Sequence, residues 1–391
     1  MIYMDYNATT PCDERVVEAM LPYFSEKFGN PSSIYKFGKN SRDAVEKARE
    51  NVAKLLDCNP EEIFFTSCGT EADNWAIIGT AFGNKEKGRH IITSSIEHHA
   101  VLNACKFLEK MGYEVTYLPV DRYGIVDIDA LKRSIKKDTI LVTIMAANNE
   151  IGTIQPIKEI ADIARENNIY FHTDGVQVVG KIPVSVKKLD VDMLSFSGHK
   201  FYGPKGVGAL YVRNGIKLNP FIYGGGQEKS KRAGTENVPG IVGLGKAAEI
   251  AIKEMEEEGS KVKELRDELE KGIKERIPEI IINGHPQNRL YNTINLCVKY
   301  IEGESIILHL DFEGICASSA SACTSGSLEP SHVLIALGLP TEIALGSVRF
   351  SLGKHNTKEN IEKVINVLPV VVEKLRNMSP FWNQLKNGSE S

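Results

Sequence analysis

Apolar residues in the first 220 positions occur in short runs separated by stretches of helical periodicity. The short runs, such as Ile63-Phe64-Phe65, are typical of buried strands. They predict seven strands, near residues 62–66, 90–95, 113–119, 139–146, 169–173, 192–196 and 207–212. Between them, apolar side chains recur on one helical face, as Val45, Ala48 and Val52 do after the cap residues Asn40-Ser41. Helices are predicted from that cap to Leu56 and near 71–81, 98–111 and 157–167.

Strands that alternate with helices form crossover units, which build a parallel or mixed sheet covered by helices on both faces. The predicted fold class is therefore α/β. In such sheets ligands bind beyond the carboxyl ends of the strands. We therefore expect functional side chains in the residues that directly follow strands.

The pattern changes after Gly224-Gly225-Gly226. A long helix is predicted near 241–277. Beyond it, strands near 280–284, 293–298, 314–317 and 347–351 are interspersed with helices near 302–311 and 357–376. This pattern predicts a smaller α+β domain that the first residues join. We expect a large domain over 15–255 and a small domain formed by 1–14 and 256–391.

The charge balance of the 391-residue chain argues against several classes of partner. Lys and Arg number 47 and Asp and Glu number 51, for a net charge of -4, which does not favour binding to nucleic acid or to an anionic membrane. No apolar run approaches the roughly 18 residues of a membrane span, and the N-terminus lacks the regions of a signal peptide. We expect a cytoplasmic protein that binds small molecules and other proteins.

Metal and nucleotide signatures are weak. The seven cysteines lack the close pairs of a zinc site, so no metal is predicted. Residues 240–247 resemble a phosphate-binding Walker loop, but Ala247 stands where a hydroxyl residue should reach magnesium. The spacing of Gly203, Gly206 and Gly208 does not fit a dinucleotide fingerprint.

Polar residues at strand ends indicate a different phosphate site. Ser67-Cys68-Gly69-Thr70 lies at a predicted strand-to-helix turn, where backbone N–H groups hold anions, and Asp174 ends another strand. Each alone is equally well explained as a cap or turn residue. Lys200, however, follows an apolar strand within Ser197-Gly198-His199-Lys200. A nucleophilic lysine, a phosphate-binding turn and a carboxylate for a pyridine nitrogen together predict a pyridoxal phosphate site.

Five motifs resemble those of the NifS/IscS-type cysteine desulfurases. They are SGHK at 197–200, HTDGVQ at 172–177, NNEIG at 148–152, RAGTEN at 232–237 and SASACTSG at 319–326. The resemblance runs from Asp5 to about Trp382. It implies the fold type I of pyridoxal-phosphate-dependent transferases, which is aspartate aminotransferase-like and has a mainly parallel seven-stranded sheet in its large domain. It also implies a homodimer.

The same resemblance implies the site residues. The catalytic residues it implies are Lys200 as the Schiff-base lysine, Cys323 and His98, which stacks on the cofactor ring. The residues implied to bind pyridoxal 5'-phosphate are Gly69, Thr70, His98, Asn149, Asp174, Gln177, Ser197, His199, Lys200 and Thr235. Asp174 is matched to the pyridinium nitrogen, Gln177 to the ring hydroxyl and Thr235 to the phosphate of the neighbouring subunit. Asn149 and Arg349 are matched to the substrate, with the Arg349 guanidinium on its carboxylate.

Cys323 is the expected nucleophile for sulfur. Residues 317–327 around it are otherwise Ala, Ser, Thr or Gly, whereas Cys297 lies in an apolar run typical of a core. The expected reaction removes sulfur from L-cysteine and gives L-alanine and a persulfide on Cys323. The sulfur then passes to an acceptor protein such as an iron-sulfur scaffold.

Alternatives remain open at this point. An aminotransferase or a selenocysteine lyase would use the same cofactor, although an aminotransferase would not need Cys323. A non-catalytic sulfur-carrier or scaffold protein would not need Lys200, Asp174, His98 and Arg349 together. The acceptor is equally open among nitrogenase-cluster scaffolds, general iron-sulfur scaffolds and tRNA-thiolation proteins.

Overall fold

The computed structural model describes residues 1–319, 329–380 and 382. Its strands are β1 (Ile2–Tyr3), β2 (Ile63–Thr66), β3 (His90–Ser94), β4 (Glu114–Leu118), β5 (Thr139–Thr143), β6 (Tyr170–Asp174), β7 (Met193–Ser197), β8 (Gly208–Val212), β9 (Ile280–Asn283), β10 (Thr293–Val298), β11 (Ile315–Cys316) and β12 (Ser347–Ser351). Its helices are α1 (Glu14–Met20), α2 (Pro22–Ser25), α3 (Lys36–Leu56), α4 (Gly69–Gly83), α5 (His99–Lys110), α6 (Ile128–Ser134), α7 (Ile157–Glu166), α8 (Val186–Leu189), α9 (Gln227–Ser230), α10 (Val238–Arg276), α11 (Gly303–Phe312), α12 (His332–Ala336), α13 (Thr341–Ala344) and α14 (Lys358–Met378).

Strands β2 to β8 form one seven-stranded sheet, which confirms the predicted fold class. Their order is β2-β8-β7-β6-β5-β3-β4. β8 runs antiparallel to both of its neighbours, and the other adjacent strands are parallel. All residues of β3, β5 and β7 are buried, as expected for parallel strands covered on both faces. The carboxyl ends of β2, β3, β5, β6 and β7 therefore meet at one edge.

Helices cover both faces of this sheet. On one face α3, α7 and the first half of α10 contribute Val45, Ile160 and Leu244 to the largest apolar cluster. On the other face α4 and α5 bury Trp75 and Cys105 completely. This two-sided packing holds the strand ends, and the loops that follow them, in defined positions.

The predicted start of α3 is wrong. The helix begins at Lys36, and its N-cap residue Tyr35 makes no side-chain cap hydrogen bond. Ser41, which was expected to cap the helix, is buried, and its hydroxyl donates to the carbonyl oxygen of Lys27 at 3.1 Å. The serine therefore serves a tertiary contact, which a local sequence pattern does not reveal.

The second part of the chain forms a separate apolar cluster. β9, β10 and β12 make an antiparallel sheet, and β1 pairs in parallel with β11. The second half of α10 packs here, together with α14 and the N-terminal residues Ile2 and Met4. The predicted domain limits of 15–255 and 256–391 stay a prediction. None of the helices in the described part of the chain has the length and apolar character that crossing a bilayer requires.

Candidate active site

A cavity of about 500 Å³ lies at the edge of the large sheet where the parallel strands end. Helix α4 follows β2, His98 follows β3, Asn149 follows β5, and Lys200 follows β7. Ten of the twelve predicted site residues line this cavity: Gly69, Thr70, His98, Asn149, Asp174, Gln177, Ser197, His199, Lys200 and Arg349. Its size suits a ligand of a few tens of atoms.

The other two predicted residues do not line it. Thr235 is exposed, and it is absent from the cavity walls formed by the described part of this chain. Cys323 lies outside the described residues. Ser318, a few residues before it, lines the cavity.

One end of the cavity suits a phosphate. The N-terminus of α4 presents first-turn N–H groups here, and these have no partners within a helix. A Cβ atom on Gly69 would lie 2.7 Å from Val176 Cγ2, so only glycine leaves this wall open. Ser197 is buried, and its hydroxyl oxygen has no hydrogen-bond partner among the described residues. A buried hydroxyl in this state points to a ligand that would satisfy it.

Asp174 provides a buried negative charge at the end of β6. Its Oδ1 accepts a hydrogen bond from the Val176 N–H at 2.8 Å. Burial raises the pKa of Asp174 to about 6. Asp73, a second buried carboxylate at the cavity, has its pKa raised by burial and by the charge of Asp174. A positively charged group in the cavity would stabilise the ionised form of Asp174.

Two histidines at the cavity are neutral at neutral pH. Burial, followed by the charge of Lys200, lowers the pKa of both His98 and His199 to about 4. His98 caps α5, and its Nδ1 accepts from the Ala100 N–H at 3.1 Å. Because Nδ1 accepts, the proton of the neutral ring must be on Nε2.

The Lys200 amine is held by main-chain oxygens of the N-terminal segment. Its Nζ donates to the carbonyl oxygens of Asn7 at 2.6 Å and Ala8 at 2.8 Å. Both acceptors lie in the segment that follows β1. The first residues of the chain thus orient the predicted nucleophile.

Arg349 connects the small sheet to the cavity. It is buried on β12, and its two terminal nitrogens donate to the Asn149 carbonyl oxygen at 2.9 Å and to Asp5 Oδ1 at 2.8 Å. Its Nε has no partner among the described residues. Ser318 exchanges two main-chain hydrogen bonds with Arg349, of 3.1 and 2.6 Å. The segment that leads to Cys323 is therefore attached directly to the predicted substrate-binding arginine.

Sequence reasoning missed several residues of this site, among them Asp5, Asn7, Asp73 and Lys181. Asp5 and Asn7 belong to the conspicuous segment Asp5–Thr10, but nothing local to it indicates contact with Lys200 or Arg349. Lys181 is 6% exposed, although lysines are almost never buried. Only the folded chain shows that Asp5, Asn7 and Asp73 line the cavity and that Lys181 lies behind it.

The residues present fit pyridoxal phosphate. A lysine and a buried carboxylate occupy neighbouring strand ends, and an unsatisfied hydroxyl lies beside a helix N-terminus. These groups can bind, in turn, the aldehyde, the ring nitrogen and the phosphate of that molecule.

Comparisons with known proteins agree with this chemistry. The sequence model described as aminotransferase class-V matches residues 2–364. The chain is 60% identical over 380 residues to the cysteine desulfurase IscS of Methanosarcina thermophila, covering 97% of this chain and 94% of that protein. It is 57% identical over 390 residues to the IscS of Dictyoglomus turgidum, covering 100% and 99%.

Solved structures show the same likeness. A NifS-like protein has a TM-score of 0.90 and 42% identity, covering 96% of this chain and all of its own. A structure described as SspA in complex with cysteine has a TM-score of 0.82 and 40% identity, covering 91% of this chain and all of its own. The alternatives of an aminotransferase, a selenocysteine lyase or a non-catalytic scaffold are not favoured by these relatives. The chain therefore belongs to the aminotransferase class-V family and, within it, to the cysteine desulfurases.

Proposed function

We propose that this cysteine desulfurase binds pyridoxal 5'-phosphate in the 500 Å³ cavity and transfers the sulfur of L-cysteine to Cys323. Membership of a family that depends on this cofactor supports the choice of cofactor. The observation that carries the assignment is the position of Lys200, Asp174 and the unpartnered Ser197 hydroxyl around one cavity. The structure neighbour in complex with cysteine supports the choice of substrate.

In this proposal different cavity residues bind different parts of the cofactor. Asp174 would hold the ring nitrogen, Gln177 the ring hydroxyl, and His98 the face of the ring. The phosphate is bound by the α4 N-terminus with Thr70, Ser197 and His199. Bound there, pyridoxal phosphate supplies an electron sink for charge that develops at the substrate Cα.

The side chains of the protein do the rest of the chemistry. Lys200 would hold the cofactor, and as a free amine it would remove the proton from the substrate Cα. The Arg349 guanidinium binds the substrate carboxylate, next to the Asn149 carbonyl oxygen that it already contacts. His98, neutral and protonated on Nε2, is suited to hold or return a proton on the cavity side.

The Cys323 thiolate then attacks the sulfur of the substrate. A sulfur–sulfur bond forms as the Cβ–sulfur bond breaks, and the electron pair of that bond stays on the carbon. The carbon takes up a proton and leaves as L-alanine, and the sulfur remains on Cys323 as a persulfide. One residue on each side of Cys323 in the sequence supports this role. Ser318, before it, lines the cavity. The hydroxyl of Ser331, after it, donates at 2.5 Å to the buried carboxylate of Glu150, the residue next to Asn149.

Substitution of the nucleophile tests this assignment. Cys323→Ala should keep the visible absorbance of the cofactor and lose sulfide release from L-cysteine. Cys316→Ala, at the partly buried cysteine of β11, is the matched control and should remain active. Mass spectrometry of the wild-type protein after one turnover should find the extra sulfur on the peptide that contains Cys323. Normal turnover by Cys323→Ala would refute the nucleophile.

Reductive trapping tests the lysine. Treatment of the purified protein with borohydride should attach the cofactor permanently to Lys200, and peptide mapping should locate it there. Lys181, which donates to the side-chain oxygen of Asn7 while Lys200 donates to its main-chain oxygen, is an internal control and should remain unlabelled. Label on Lys181, or no label at all, would contradict the proposed cofactor site.

We also infer a homodimer. Thr235 is exposed and lies away from the cavity of its own chain, as expected if it reaches the phosphate of a second copy. Phe24, Phe28 and Ile34 are 64%, 68% and 99% exposed on one N-terminal segment, and a second copy would cover them. Analytical ultracentrifugation should give twice the 43.2 kDa chain mass, and a monomer would count against the inference.

The sulfur acceptor that we propose is an iron-sulfur scaffold protein. In this proposal the acceptor takes its sulfur from the persulfide on Cys323. Radiolabelled sulfur from L-cysteine should therefore pass to a scaffold protein from the wild-type enzyme and not from Cys323→Ala.

A further inference from the structure

A buried network of three side chains lies behind the cavity. Asn7, Gln177 and Lys181 are 1%, 4% and 6% exposed. Asn7 and Gln177 line the cavity, and Lys181 lies behind them. We propose that Lys181 is a positioning residue. Through Gln177 and Asn7 it orients the Gln177 side-chain N–H that donates to the cofactor's ring hydroxyl. This inference rests on the proposed role of Gln177.

Hydrogen-bond chemistry determines which way the Gln177 amide points. The Asn7 main-chain carbonyl oxygen can only accept, so the Gln177 atom that faces it must be Nε2, and the atom 2.7 Å from Lys181 Nζ is the oxygen Oε1. Nε2 is then on the other side of the amide and donates to the Asn7 carbonyl oxygen at 3.1 Å. The second N–H of Nε2 is the donor left for a ligand in the cavity. Without Lys181 the amide would lose the donor to its oxygen and would be held in this orientation only by the Asn7 carbonyl oxygen.

Through Asn7, Lys181 also influences the position of Lys200. The Asn7 side-chain oxygen accepts from Lys181 Nζ at 3.3 Å and from Asn292 Nδ2 at 3.0 Å, and its Nδ2 donates to the Asn149 carbonyl oxygen at 3.1 Å. These contacts fix the residue whose main-chain oxygen accepts from Lys200 at 2.6 Å. Lys181 therefore contacts Gln177 directly and is linked to Lys200 through one residue, Asn7.

A purely packing role does not explain a lysine at this position. Burial, followed by the charges of Lys200 and Arg349, lowers the pKa of Lys181 to about 7, so the site works against the charged amine. A methionine has nearly the same length and would not incur this cost. Unlike methionine, lysine provides hydrogen-bond donors and a positive charge. Both would favour the ionised form of the cofactor's ring hydroxyl beside Gln177.

Lys181→Met tests the proposal, with Lys188→Met as the matched control on an exposed lysine of the same segment. The readouts are the pH midpoint of the visible absorbance of the bound cofactor and the dissociation constant of pyridoxal phosphate. Loss of one hydrogen bond to an ionised group should move the pH midpoint by about one unit and change the dissociation constant of pyridoxal phosphate about tenfold. We expect both changes in Lys181→Met and neither in Lys188→Met.

A double-mutant cycle tests whether Lys181 acts through Gln177. In a Gln177→Leu background the further change Lys181→Met should move the midpoint little or not at all. An equal shift in both backgrounds would overturn the proposal, and so would a wild-type midpoint in Lys181→Met. Lys181→Arg keeps the donors and should keep the midpoint within a few tenths of a pH unit. This variant provides the test if the methionine variant does not fold, and a displaced midpoint in it would count against the proposal.

The proposed cofactor site and the proposed role of Lys181 are refuted by different results. If the wild-type enzyme is not trapped at Lys200 by borohydride, the proposed cofactor site is wrong, and this inference falls with it. If wild type is trapped and Lys181→Met titrates like wild type, only the role of Lys181 is wrong.

Discussion

Arg349→Lys offers a sharp test of how the enzyme recognises its substrate. The substitution keeps the positive charge on β12 but removes the planar pair of donors. In the structure these donors contact the Asn149 carbonyl oxygen at 2.9 Å and the Asp5 carboxylate at 2.8 Å. A lysine amine carries a single nitrogen and does not reproduce this geometry.

The expected size of the effect follows from the lost hydrogen bond. A hydrogen bond to a charged group contributes about 1.5–3 kcal/mol. Because the arginine is buried, water does not replace the missing donor. We expect KM for L-cysteine to rise about 10- to 100-fold, since each 1.4 kcal/mol is about a factor of ten. The carboxylate does not react, so kcat should change much less.

The assay is initial-rate release of sulfide and alanine over a range of L-cysteine concentrations. Arg276→Lys, at the exposed end of α10, is the control for an arginine-to-lysine change as such. Thermal unfolding of both variants checks that neither has lost its fold. An unchanged KM in Arg349→Lys would refute the assignment of the substrate carboxylate to this residue.

Three further predictions concern charge and stability. Asp174→Asn should retain bound cofactor but lower kcat about 10- to 100-fold, measured by sulfide release, because a neutral amide does not stabilise a protonated ring nitrogen. Glu228→Gln should lower the free energy of unfolding, measured by urea denaturation, by about 3–5 kcal/mol, since it leaves the buried Arg49 guanidinium without the buried carboxylate that it contacts at 2.7 and 2.9 Å. Glu50→Gln, in an exposed pair with Lys47, is the control and should cost below about 1 kcal/mol. Between about pH 6.5 and pH 4 the unfolded chain protonates His98 while the folded chain does not, so the free energy of unfolding should fall as pH falls through this window, and His98→Gln should flatten that fall.

Much of the large sheet could be predicted because the relevant signals are local. Runs such as Ile63-Phe64-Phe65 are apolar because a strand covered on both faces must be, and all seven predicted strands occur. Helices α4, α5, α7 and α10 were predicted to within about three residues at each end. The short helices α1 and α6 were missed, because seven residues carry too little periodicity.

Nine of the predicted site residues share one property: they lie at or soon after the ends of strands that meet at the same edge of the large sheet. That is why motifs scattered between residues 69 and 200 line a single cavity, which Arg349 reaches from β12 of the small sheet. The motif containing Thr235 has no such strand in its own chain, and Thr235 accordingly lies on the surface.

The sequence alone determined most of the elements, the expected chemistry and the family, because periodicity, turns and motifs are properties of neighbouring residues. Only the tertiary structure showed that Asn7 holds both Lys200 and Gln177, that Lys181 is buried behind them, and that Ser41 is not a cap. These contacts join residues up to 193 positions apart. Burial and pKa depend on what packs around a side chain from distant parts of the chain, and no local pattern of residues encodes that.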